Sequence, residues 1–158
     1  MFKNIVAAVD GSMLSLDALD MAARLAAQDN AVLLILSAVE PLRVLASPFY
    51  ARGGTSPSYM VDYREDQLKS YKGLHEEQIK RLGQVYPDLV VESKIVDGHA
   101  ARVIEDESVD ADLIVMGHRG HGGVLDWMLG SVAKSVVDRS TMPVFIVKNK
   151  EHLDESSG

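Results

Sequence analysis

Four glycines crowd the stretch behind the apolar run Leu113–Met116: Gly117, Gly120, Gly122 and Gly123. Another, Gly130, stands with Ser131 just ahead of Val132-Ala-Lys-Ser-Val-Val-Asp-Arg139, where Val132, Val136 and Val137 read as one helical face. A strand, a glycine-rich turn and a helix start, in that order, present main-chain N–H donors. The first turn of a helix has no intrahelical acceptors for them and carries the positive end of the dipole. Main-chain amides between Gly117 and Ser131 could therefore seat a phosphate or another anion, although the same glycines would also serve plain tight turns. No Gly-Lys-Ser/Thr occurs in the chain, so this is not a Walker A loop, and the glycine spacing is not the dinucleotide fingerprint.

Side chains near these glycines add candidates. Arg119 and His121 could lie near phosphate oxygens, where a charged donor is useful, or stand in solvent. Ser131 could donate its hydroxyl to a phosphate, cap the helix, or do both. His118 and His121 have a spacing that can invite metal, but no carboxylate or cysteine stands at a matching interval. Trp127 and Met128 are expected to pack and anchor the loop. Farther back, Asp10 in Asp10-Gly11-Ser12 could contact a ribose or base, or help hold Mg²⁺ on phosphates. It could equally be a turn residue bonded to the Gly11 and Ser12 amides. No nucleophile–base pair stands out, because the Gly-x-Ser-x-Gly elbow is missing. Glu76-Glu77 and Asp154-Glu155 read as solvated charge.

The elements that would position these residues follow from periodicity. Strands are expected at Lys3–Val9, Ala31–Val39 (interior), Leu89–Val96 (edge-like), Leu113–Met116 and Val144–Lys148. Helices are expected from Met13 to about Gln28 with Ser12 as N-cap, from about Tyr63 to Tyr86, from Ala100 to about Ser108, and up to Arg139. Ala18, Leu19, Ala22, Leu25 and Ala26 form the apolar face of the first helix, and Leu68, Tyr71, His75, Ile79 and Leu82 that of the second. His75 reads as a histidine at the edge of the core. Glu40 to Asp62, with three prolines and Gly53-Gly54, reads as a long connection whose Leu42, Val44, Leu45, Phe49, Tyr50 and Tyr59 could close over a ligand or pack on a partner. Residues 149–158 read as a flexible tail. Alternating β and α implies an α/β fold, an open five-stranded parallel sheet with helices on both faces. Ligands bind such sheets beyond the strand carboxyl ends, where the strand order reverses. Asp10 and Gly117 both stand at such ends.

Composition narrows the function. At 158 residues and 47% apolar, the chain suits one folded domain, 1–148, and not general disorder. No apolar run is long enough to span a bilayer, so no membrane partner is expected. The N-terminus lacks an export signal, which makes the cytoplasm the expected location. The absence of cysteine removes disulfide and thiol chemistry, and a net charge of −7 argues against nucleic acid as a partner.

The signature Gly117-x2-Gly120-x9-Gly130-Ser131, with Ile5-Val-Ala-Ala-Val-Asp-Gly-Ser12, Ala111-Asp-Leu-Ile-Val-Met-Gly117 and Pro143-Val-Phe-Ile-Val147, resembles the universal stress protein family in its ATP-binding branch. The resemblance runs from Asn4 to about Lys148. It implies strand order 3-2-1-4-5, an adenine nucleotide alpha hydrolase-like arrangement. It places adenine at Ala8, Val9, Asp10 and Ala38. Ribose and phosphates would lie along Met116, Gly117, Arg119, Gly120, His121, Gly130, Ser131 and Val132. ATP with Mg²⁺ or Mn²⁺ is the implied cofactor, with Asp10 as the metal's carboxylate. A homodimer through Val144–Val147 is implied, as is a nucleotide-dependent sensor or switch in stress response acting on an unidentified downstream protein. The alternative is an enzyme, a slow ATP hydrolase or an adenylyl-transfer relative. The chain departs from the family's pattern at Gly98-His-Ala-Ala, where many members have proline after the glycine, and in the length of 40–62.

Overall fold

The structure, a computed structural model, describes residues 1–41, 58–120 and 128–148, with the backbone alone for 58–61. Nine elements alternate: β1 (Asn4–Ala8), α1 (Met13–Asp29), β2 (Val32–Val39), α2 (Ser58–Val85), β3 (Val91–Asp97), α3 (Ala100–Glu107), β4 (Leu113–Gly117), α4 (Ser131–Arg139) and β5 (Val144–Val147). The five strands form one sheet in the order β3-β2-β1-β4-β5, and every neighbouring pair is parallel. The order reverses between β1 and β4, so the crevice expected of such sheets lies beyond Ala8 and Gly117.

Strand alternation distributes the core over two faces. Ile5, Ala7 and Val9 point to the side covered by α1 and by Leu82 of α2, together with Leu33, Ile35, Leu113 and Val115. Val6, Leu36, Ile114 and Met116 point to the other side, under Val103 and Ile104 of α3 and Ala133 and Val136 of α4. All of β4 is buried, which is why it reads as a continuous apolar run. Ser12 caps α1 as expected, accepting from the Ser15 amide, and Asn30 ends it in the left-handed conformation.

Three expectations are corrected here. The second helix begins at Ser58, not near Tyr63, so Ser58–Asp62 belong to α2 and not to the connection. Proline breaks a helix only on its N-terminal side, and nothing after Pro57 prevents helix from starting at the next residue. His75 lies within the core at 2% exposure and not at its edge. Val137 is 45% exposed; it stands five positions after Val132, well round the helix, so the buried face of α4 is Ala133 and Val136. Leu42, Val44, Leu45, Phe49, Tyr50 and the tail 149–158 lie outside the described residues.

Candidate functional site

A cavity of about 500 Å³ opens beyond the strand ends. β1 and its exit contribute Ala8, Val9 and Asp10 to its wall, and β2 contributes Ala38. The end of β4 and the turn after it contribute Met116, Gly117, Arg119 and Gly120; the start of α4 contributes Gly130, Ser131 and Val132. Positions more than a hundred residues apart thus share one wall, because the parallel sheet sets β1 beside β4. His121 and Trp127 lie outside the described residues. Met128, just before the chain turns into α4, is 42% exposed.

Asp10 sits at the hinge of the two loops. Its Oδ1 accepts from the Ser12 amide at 2.9 Å and from the Ser12 hydroxyl at 2.5 Å. The Ser12 hydroxyl oxygen in turn accepts from the Ser15 amide at 3.3 Å, so one turn and one helix cap are locked together. Oδ2 faces Gly120, where an added Cβ would collide with it. A larger residue at 120 would therefore have to displace that carboxylate.

The main-chain donors are fewer than the glycine pattern suggests. The His118 amide donates to the Val147 carbonyl at 2.8 Å, and the Gly130 amide donates to the His118 carbonyl at 2.9 Å. Both are used by the protein itself, because the β4–β5 ladder runs one residue past the strand and the loop closes on its own carbonyl. The available donors are instead at the α4 start. Gly130, not Ser131, is the N-cap and has no side chain to accept from the first turn, so the amides of Ser131, Val132 and Ala133 lack the intrahelical partners that later residues have. All three residues line the cavity. A Cβ on Gly130 would stand 3.2 Å from the His118 carbonyl oxygen, which leaves little room for a larger residue.

His118 is buried at 6% exposure. Burial, with the nearby Lys148 and Arg119 cations, holds its imidazole below the usual range. Among the described residues no three His, Asp or Glu side chains gather as a metal site would require.

One wall was not foreseen. Tyr63, Gln67 and Tyr71 of α2, spaced one helical turn apart, face the cavity together with Glu40. The Glu40 carboxylate accepts from the Ala100 amide at 2.9 Å, capping α3 from another element because His99 does not. Tyr71 is held above the usual phenol range by burial, then by the negative charges of Asp10 and Glu40. The four-residue spacing of Tyr63, Gln67 and Tyr71 was the only sequence signal for this wall.

The model of the universal stress protein family matches residues 1–148. The chain is 32% identical over 154 residues to universal stress protein YxiE of Bacillus subtilis, covering 94% of this chain and 100% of that protein. Universal stress protein UspA from Lactobacillus plantarum superposes with a TM-score of 0.79 at 21% identity, over 92% of this chain and 97% of that one. A universal stress protein solved in complex with cAMP superposes with a TM-score of 0.57 at 29% identity, over 93% and 97% of the two chains.

Proposed function

This chain belongs to the universal stress protein family, and from that premise we propose that it binds ATP in the cavity at the strand ends and acts as a nucleotide-dependent switch in stress response. The observation that carries the reading is the size and lining of that cavity. At about 500 Å³ it falls within the ~300–1,000 Å³ usual for small-molecule sites. Ala8, Val9 and Ala38 at the ends of β1 and β2 give it an apolar wall suited to a purine. The start of α4 also lines it, and its uncapped amides and helix dipole suit phosphates. A relative solved with cAMP supports an adenine nucleotide as the class of ligand.

Arg119, Gly120, Ser131 and Val132 would seat the phosphates, with His121 added from the same loop. Mg²⁺ or Mn²⁺ arriving on a triphosphate needs only one or two protein carboxylates, and Asp10 is the carboxylate at that wall. The bound state would be read by another protein, with the chain working as a homodimer.

Calorimetry with Mg-ATP tests this. The wild-type protein should bind, and Gly130→Val should abolish binding while its circular dichroism melt remains cooperative, because the valine crowds the His118 carbonyl and the α4 amides. Unchanged affinity in the variant would place the phosphates elsewhere. Hydrolysis should stay below about 1 per second, slower than ordinary enzymes; faster turnover would make the protein an ATP hydrolase.

A further inference from the structure

A second cavity, of about 270 Å³, lies at the opposite end of the sheet. Ala31 and Val90 line it just ahead of β2 and β3, so it stands at the amino ends of these parallel strands. It shares no lining residue with the strand-end cavity. Both α1 and α2 end here. A helix leaves its last carbonyls without intrahelical donors, turned toward the space beyond its end, and that end carries negative partial charge. Two such ends converge on this cavity, and neither helix has a basic residue in its last turn. Most main-chain donors nearby are already spent. The amides of Asn30 and Ala31 both turn back to the Ala26 carbonyl. The Tyr86 amide donates to the Leu82 carbonyl and the Leu89 amide to the Tyr86 carbonyl, while Pro87 has no N–H. Asp88 adds a carboxylate to the same wall. Acceptors thus outnumber donors, which suits a cation bearing several N–H groups.

The apolar part of the wall says what kind of cation. Val85 and Val90 line the cavity, and each is more than half exposed. An inorganic cation would leave both in water, whereas the stem of an arginine or lysine covers apolar surface while its head reaches polar groups. At about 270 Å³ the space falls below the ~300–1,000 Å³ of small-molecule sites and suits one long side chain. Arginine fits the acceptor-rich wall better than lysine, because its planar fork carries five donors against three. A net charge of −7 on this chain favours a basic partner.

We propose that this cavity is the docking site for an arginine side chain of a partner protein, whose neighbouring apolar residues cover Val85 and Val90. The guanidinium would donate to the closing carbonyls of α1 and α2 and to Asp88.

The test titrates a short peptide, capped at both ends, with arginine between valine and leucine into the isotope-labelled full chain and follows its amide shifts by NMR. Saturable shifts should centre on Asn30, Ala31, Tyr86 and Asp88. The same peptide with citrulline, neutral but of the same shape, should bind about tenfold more weakly, the scale of a charge-assisted hydrogen bond. Asp88→Lys should weaken the arginine peptide by at least that factor. Glu77→Lys, the same charge change two turns back on α2, should have little effect. Both positions are exposed, so neither variant endangers the fold. Equal binding of the arginine and citrulline peptides overturns the proposal. So does equal weakening by the two lysine variants, which would reduce the effect to overall charge. Shifts that centre elsewhere, or that never saturate, also overturn it. N-acetylarginine amide binding as tightly as the peptide would make this a small-molecule site. Shifts at the same amides that grow with protein concentration alone would make it a contact between copies of this chain. Either result removes the partner protein.

Discussion

Asp10 and Gly120 meet where the loops after β1 and β4 face one another, and a larger residue at 120 would have to displace the Asp10 carboxylate. Asp10 cannot simply swing aside, because its Oδ1 is held by the amide and hydroxyl of Ser12. A methyl group at 120 would push on Oδ2 and strain or break those bonds. Gly120→Ala should therefore destabilise the protein by about 1–2 kcal/mol, the scale of one or two displaced hydrogen bonds. The mechanism has its own signature. In an Asp10→Ala background the carboxylate is gone, and Gly120→Ala should then cost almost nothing. Urea denaturation of the two single variants and the double variant measures this coupling; strictly additive costs would show that the collision is not the cause. Ser12 illustrates why one residue resists a single label: it caps α1, and it also orients the Asp10 carboxylate. Its capping role was readable from Ser12 preceding a helical pattern, but its hold on Asp10 depends on a turn geometry that residue types alone do not specify.

At the scale of elements, His75 shows how α2 is attached to the sheet. The Ser37 hydroxyl donates to the Val9 carbonyl at 2.5 Å, so toward His75 it can only accept, and Nε2 must carry the proton. Nδ1 then accepts from the Ser93 hydroxyl. The buried ring is thus neutral with a fixed tautomer, and burial holds its pKa below the usual value. A base whose folded pKa is depressed binds fewer protons folded than unfolded, so its contribution is complete above the unfolded value, about 6.5, and is lost as pH falls below it. His118 acts with the same sign. The melting temperature should therefore drop between pH 7 and pH 5, and His75→Leu should flatten that drop while costing about 1–3 kcal/mol at neutral pH through the stranded hydroxyls. A pH slope that His75→Leu does not alter would remove the histidine from the acid response. The strands β1, β2 and β4 were legible because a strand buried on both faces must be apolar throughout. The order in which they pair was not, since every parallel order uses the same apolar residues; it came from the resemblance. The strand-end half of the site was legible through glycines and Asp10. The α2 half was not: Tyr63, Gln67, Tyr71 and Glu40 meet the cavity only through tertiary packing, and the composition ahead of Tyr63 concealed the true start of the helix.

At the scale of the whole molecule, the two sheet edges are unlike. β3 carries Glu92, Ser93 and Lys94 with exposed side chains, the charged pattern that discourages edge-to-edge pairing. β5 reads Val-Phe-Ile-Val, with Phe145 42% exposed, and its outer edge has no strand beside it among the described residues. An apolar edge of this kind suits an isologous contact in which two copies pair β5 antiparallel, the homodimer proposed above. Each copy carries a net charge of −7, so the repulsion between copies is screened by salt and the dimer should tighten as ionic strength rises. Phe145→Lys should give a monomer in sedimentation at concentrations where the wild-type chain is dimeric. The same edge is wired to the cavity. The Val147 carbonyl accepts from the His118 amide, and the His118 carbonyl accepts from the Gly130 amide at the α4 N-cap. A partner that steadies β5 therefore steadies the donors at the start of α4. Coupling between two binding events is reciprocal: the Phe145→Lys monomer should bind ATP more weakly than the wild type, and Mg-ATP should strengthen the dimer by the square of that per-site factor, because each dimer holds two sites. Sedimentation with and without Mg-ATP, set against calorimetry of the monomeric variant, measures both sides. A monomer that binds ATP as tightly as the dimer would show that this edge assembles the protein without informing its site.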